Sequence, residues 1–369
     1  MKKRHVTLCL CGDVMLGRGI DQILPHPGDP ALREAFVGDA GEYVRLAEEA
    51  NGPIPRPVGF GRPWGDAPAI LDAEAPDVRV LNLETGITTS DDFEPFKAVH
   101  YRMHPDNIPC LEAIRPDVCV LANNHVLDFG RAGLADTLDA LHRAGLRTAG
   151  AGGGIEEARR PAVVPVGEGG RVVVFAQGAP SSGVPPDWAA TENRAGVDFT
   201  HDTSERGAEE LVARVRRAKL PGDIVVASMH WGSNWGYDVP ASRIRYARRL
   251  IDGGVDVVHG HSSHHPRAIE VYRNKLILYG CGDCVDDYEG IRGYEFYRDD
   301  LRLLYFATVA RDTGELSGLR MAPLRAVKMR LGRASRVDAE WLAATLTRAG
   351  RPFGTEVTPE PDNRLTLHH

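Results

Sequence analysis

The chain has 369 residues, of which 43% are hydrophobic and 26% charged, with a net charge of −7 at neutral pH. This is an ordinary globular composition, long enough for one large α/β domain or two smaller ones. Acidic and basic residues are interspersed, so no basic block marks a nucleic-acid surface.

The start, MKKRHVTLCLC, has a basic head and an apolar run, as a signal peptide does. The run is short, Gly12-Asp13 ends it, and no Ala-x-Ala-like cleavage site follows, so it reads as a first buried strand. No stretch of about 18 apolar residues occurs; a cytoplasmic protein without a membrane segment is expected. Further apolar runs are VRVLNL (78–83), DVCVLA (117–122), RVVVFA (171–176), DIVVASM (223–229), VDVVH (255–259) and KLILYG (275–280). Each is short, rich in Val, Leu and Ile, and bounded by charge or glycine, as strands buried on both faces are.

Residues 20–68 are rich in Gly and Pro and read as a long excursion over the functional face; 178–200 reads as a second such loop. Between the strands, 133–145, 204–219 and 241–254 are amphipathic. Leu134, Leu138 and Leu141 fall at helical spacing, and Gly145 can cap that helix. Strand–helix alternation predicts a layered α/β fold, with one domain over 1–330. Residues 335–369 read as a tail with one helix, SRVDAEWLAATLTRAG, and a polar end.

Cys9, Cys11, Cys110, Cys119, Cys281 and Cys284 are the cysteines. They read as small buried hydrophobes in a reducing compartment. Cys281-x-x-Cys284 also has the spacing of a redox pair or half a zinc site.

Chemistry gathers where strands end. Asp13, Glu84, Asn123-Asn124-His125, His230, the run His259 to His265, and Asp283 each follow an apolar run. In open α/β sheets, sites form at the carboxyl ends of strands. Asp, Glu, Asn and His are oxygen and imidazole ligands that suit Mn²⁺, Fe or Zn²⁺ without thiolate. Taken singly, such an Asp is an ordinary helix cap and such a His a loop residue.

The motifs GDVMLGR, NLETGIT, LANNHVLDFG, HWGSNWG, GHSSHHP and LYGCGD, in this order, resemble the CapA (poly-γ-glutamate capsule biosynthesis) family, a branch of the calcineurin-like metallophosphoesterases. The resemblance covers about residues 5–310. It implies a four-layer α-β-β-α sandwich with one or two divalent transition-metal ions between strand-end loops. It makes Asp13, Glu84, Asn124, His230, His261 and His264 the ligand set, with Glu84 in the place of a bridging aspartate. Met15 stands where the superfamily's Asp-x-His has its histidine. Asn124 binds metal through its side-chain oxygen, His125 is the general acid, and Asp128 orients it or caps the next helix. Water activated by metal and a positioned imidazole are the chemistry expected of such a site.

Lys97, Arg102 and His104 are candidates for holding an anionic small-molecule or peptide substrate. Ser182 is a candidate pocket residue, and His265 a support or substrate contact rather than a ligand. No Gly-x-Ser-x-Gly and no P-loop occur. The expected function is hydrolysis or transfer at a phosphoester, acyl-phosphate or amide bond of a glutamate-like, peptide or cell-envelope compound. Two alternatives are a non-catalytic accessory protein of capsule polymer assembly and a tailoring enzyme of peptide natural products.

Overall fold

A computed structural model describes residues 4–95 and 97–369. Among these, all seven apolar runs are strands, and the four helices expected from periodicity form at Gly130–Arg143, Glu205–Ala218, Ala241–Asp252 and Arg336–Gly350.

The strands make two principal sheets. The larger runs, in order, Glu356–Pro359, Leu365–His368, Leu316–Ala326, Leu301–Ala310, His5–Val14, Val78–Leu83, Val118–Val120 and Arg147–Ala149, with Asp283–Val285 also alongside His5–Val14. The smaller runs Ile269–Tyr272, Lys275–Leu278, Val257–His261, Ile224–His230, Gly170–Gly178 and Ala162–Val166. His5–Val14, Val78–Leu83, Val118–Val120 and Arg147–Ala149 form a parallel half of the larger sheet, and the central strands of the smaller sheet are parallel too. Parallel strands point their carboxyl ends the same way, which collects their terminal residues at one edge.

Strand alternation sets the layers, because successive side chains face opposite ways. In the smaller sheet Val172, Val174, Ile224, Val226 and Val257 join the core shared with the larger sheet. Their neighbours Val173, Phe175, Val225, Ala227 and Val258 pack against Ala208, Leu211, Val212 and Val215 of one helix and Tyr246, Ala247 and Leu250 of another. Burial on both faces is why these runs are continuously apolar.

Two segments differ from expectation. The 20–68 excursion contains a helix, Gly41–Asn51, which buries Tyr43, Val44 and Ala47; flanking Gly and Pro masked that spacing. Beyond residue 350 the chain does not trail off as a polar end. Glu356–Pro359 and Leu365–His368 pair with each other, and the latter extends the larger sheet through Met321 and Leu365. The helix before them opens with a capping box between Ser335 and Asp338, which satisfies first-turn N–H groups.

Candidate metal centre

The register of the parallel strands fixes the site. Asp13 pairs with Asn82 on one side and Asp283 on the other, and His230 pairs with His261. Close approach of the first strand to the 281–285 segment requires glycine: a Cβ on Gly12 would stand 1.6 Å from the Gly282 carbonyl oxygen.

All six residues expected as ligands converge. Ligand atoms of Asp13, His230 and His261 lie within 4.8 Å of one another, and so do those of Asp13, His264 and Asp283. Asp13 therefore belongs to both groups. His230 Nδ1 is 2.9 Å from His261 Nδ1, and His230 Nε2 is 2.9 Å from the Asn124 side-chain oxygen. Glu84 Oε1 stands 3.7 Å from His230 Nε2 and 3.9 Å from His125 Nε2. His264 Nδ1 is 2.9 Å from Asp283 Oδ1.

His125 and Asp128 form a pair, Nδ1 to Oδ2 at 2.6 Å. The same carboxylate accepts the Tyr101 N–H at 2.7 Å, which fixes it as the imidazole's orienter. Lys97 donates to the other Asp128 oxygen and to the Asn124 carbonyl, and lies 3.2 Å from His125 Nδ1.

The electrostatics are those of a donor cluster out of water. Burial, with repulsion from Asp283, raises the Asp13 carboxyl to about 7. Burial raises Asp283 to about 6, and burial with the charges of Asp13 and Asp283 raises Glu84 well above the carboxylate range. Burial lowers His230 and His261 well below ordinary histidine, and His125 to about 4. Neutral imidazoles and crowded acids are what a cation stabilises, since it supplies the missing positive charge and takes up lone pairs. The oxygen and nitrogen donor set fits Mn²⁺, Fe or Zn²⁺.

A cavity of about 80 Å³ opens beside these donors, lined by Glu84, Val99, Asn124, His125, Asn234, Ser262, His264 and Tyr288. None of the five candidate substrate residues is in that lining. Arg102 is spent on Asp91 (2.8 Å) and on the Ser90 and Asp29 carbonyls, and so staples two loops. His104 accepts the Asp106 N–H in a short turn. The Ser182 hydroxyl donates to the carbonyls of Ala179 and His230, 2.8 Å each. His265 belongs to neither donor group; its ring stacks with Tyr297 at 4.7 Å between centroids. Lys97 touches the His125–Asp128 pair rather than open space.

Sequence reasoning missed four contributors. Asn82, hidden inside an apolar run, donates to Asp13 Oδ1 at 2.7 Å and Glu84 Oε2 at 3.1 Å. Asp283 closes the LYGCGD motif and was visible as a post-strand carboxylate, but the resemblance gave it no ligand role. Ser262 holds a positive φ of 94° and aims its N–H at Asp13 Oδ2, 3.0 Å away; backbone strain of this kind concentrates at functional sites. Tyr288 carried no signal. Asn123 accepts the His125 N–H at 3.1 Å in a local turn, and its amide donates to the Asn82 side-chain oxygen and the Leu83 carbonyl on the neighbouring strand. All six cysteines are free and buried, and burial raises the Cys281 thiol well above its ordinary value.

Two sheets with parallel strand ends converging on a buried Asp/Glu/Asn/His cluster define a class: α/β proteins with a candidate metal centre at the sheet edge. The chain belongs to the family of the bacterial capsule synthesis protein PGA_cap, whose model matches residues 7–288. It is 56% identical, over 98% of its length and 96% of the relative's, to a probable polyglutamine synthesis accessory protein of Mycobacterium tuberculosis. It is 27% identical to the PGA biosynthesis protein CapA of Bacillus subtilis, covering 75% of this chain and 68% of that one. The capsule biosynthesis protein CapA of Bacillus anthracis is 24% identical over 78% of this chain and 61% of its own. No helix among the described residues is long and apolar enough to cross a membrane.

Proposed function

We propose that this protein is a metal-dependent hydrolase or transferase serving polyglutamate or capsule-type polymer assembly, built on the four-layer α-β-β-α plan of the metallophosphoesterases. The observation that carries it is the shared position of Asp13 in two donor groups, one completed by His230 and His261 and the other by His264 and Asp283. Asn124 and Glu84 stand beside the first group. Asp13, His230, His261, His264 and Asp283, with Glu84 and Asn124 beside them, would hold divalent ions, which would supply Lewis acidity toward substrate and water.

The chain's own residues do the rest. Asn82 and the Ser262 N–H hold Asp13 in place. Asp128 keeps the His125 proton on Nδ1, so Nε2 faces the cavity and exchanges protons with the reacting group. The bond acted on is a phosphoester, acyl-phosphate or amide of an anionic glutamate-like, peptide or cell-envelope compound.

The test is elemental analysis of protein purified without chelator, together with hydrolysis of a nitrophenyl phosphate. Wild type should hold one or two ions per chain and turn over; Asp13→Ala should lose both metal and turnover. A wild type that binds no metal ends the proposal. One that binds metal but acts on no phosphoester or amide supports a second reading, a non-catalytic accessory role. The M. tuberculosis relative, described as a probable accessory protein, favours that reading.

A further inference from the structure

We propose that Tyr288 is a hydrogen-bond donor to a non-bridging oxygen of a tetrahedral anion, a phosphoryl group or its like, bound in the 80 Å³ cavity. This rests on the metal-centre reading above.

The phenol lines that cavity together with Glu84, Asn124, His125 and His264. Its oxygen accepts the Tyr101 hydroxyl at 2.9 Å. Its own proton then points at Met15 Sδ, 3.8 Å away. A thioether is a weak acceptor. The half-buried phenol therefore keeps a donor that a stronger acceptor in the cavity can take over from Met15.

The surroundings hold the phenol in place. Its ring stands edge-on to His264, at 5.1 Å and 80°. The Tyr101 ring stands edge-on to His125 in the same way, at 4.6 Å and 80°. The Arg18 guanidinium lies 4.4 Å over the Tyr101 ring and 3.8 Å over that of Tyr43, and Asp287 fixes it with an Nε to Oδ2 bond of 3.1 Å. Arg18 itself sits at φ 48°, an uncommon backbone conformation for a non-glycine residue. This arrangement feeds one hydrogen bond into the Tyr288 oxygen, and it leaves that group one bond to give. A neutral donor suits an anion bound among carboxylates, because it holds oxygen without pairing off Asp13 or Glu84.

The experiment titrates inorganic phosphate into metal-loaded wild type, Tyr288→Phe and Tyr101→Phe by calorimetry, with metal content measured on each sample. Tyr288→Phe keeps the ring against His264 and should keep its metal, while phosphate binds roughly 10-fold or more weakly, the worth of a hydrogen bond to a charged group. Tyr101→Phe should weaken phosphate about two- to fivefold, and it carries the test if Tyr288→Phe does not fold. Unchanged phosphate affinity with metal in place overturns the assignment. So does loss of metal in folded Tyr288→Phe, which would make the phenol a ligand or a structural group. Wild type that holds metal but no phosphate overturns it and leaves the metal centre standing. Wild type without metal brings down the metal-centre reading and this proposal with it.

Discussion

Asp13 and Asp283 are register partners on parallel strands, and both carboxyl groups are buried. One closes the first strand of the chain; the other opens a strand almost at the end of the family match. Neighbouring buried carboxyls cannot both ionise cheaply without a counter-charge. Their adjacency defines the second donor group, a grouping that the separate motifs did not reveal.

Variants should separate the two groups. Asp13→Ala removes the shared ligand and should strip the site. Asp283→Ala leaves Asp13, His230 and His261 together, so that group should keep its ion. His261→Ala should do the converse. Metal counted per chain by elemental analysis decides it: equal, total loss in folded Asp283→Ala and Asp13→Ala would refute the two-group arrangement.

Stripped of metal, the protein should lose stability as pH rises from about 7 to 8.5. The carboxyls of Asp13 and Asp286, raised by burial to about 7, and that of Glu84, raised well above its ordinary value, still bind protons there. The unfolded chain has released its own near pH 4. A raised carboxyl stabilises below its unfolded value, and that contribution is lost as pH passes through the folded value. The lowered histidines His125, His230, His259, His261, His264 and His265 work in the opposite sense, and their effect fades over the unit of pH above about 6.5, where the unfolded imidazoles give up their remaining protons. Beyond that the acids dominate, Glu84 above all. Thermal melts in chelator at about pH 7 and 8.5 test this; a higher midpoint at the upper pH would contradict it. Added Mn²⁺ or Zn²⁺ should flatten the slope.

His125→Ala should leave metal content nearly intact and slow turnover by roughly 10²–10⁴-fold, the usual worth of a positioned acid or base. The loss should shrink for nitrophenyl esters, whose leaving group needs no proton. Asp128→Asn should reproduce part of the effect, since it removes the carboxylate that orients the ring. If His125→Ala sheds the metal, the residue is a ligand or a structural group.

Gly12→Ala should be destabilising by about 1–3 kcal/mol or more, because the added methyl meets a backbone carbonyl that no rotamer change can move. The same displacement parts Asp13 from Asp283, so metal affinity should fall with stability. Urea midpoints and metal content measured together check both; a variant with wild-type values would show that the two segments are not held this close.

The sequence by itself determined much of this protein. Val/Leu/Ile-rich runs named the strands because burial on both faces admits few polar residues. Asp13, Glu84, His230 and the stretches 123–125 and 259–265 stood out because each follows such a run, and a polar residue beside a buried strand must have a purpose or a partner; the motif resemblance is what singled out Asn124, His261 and His264 within those stretches. Local spacing also gave the helices, whose apolar stripe recurs every three or four residues. What only the tertiary structure decided is which distant residues face each other. Nothing near Asn82 or Asp283 in the chain says that both flank Asp13; sheet register does. Nothing near Tyr288 says that its hydroxyl meets Tyr101 and Met15. Arg102 and Lys97 read as free cations until packing assigned them to Asp91 and Asp128. Sequence pattern records whether a side chain is buried, because burial acts on each residue locally. Partner and direction are set by long-range strand pairing, to which local periodicity is blind.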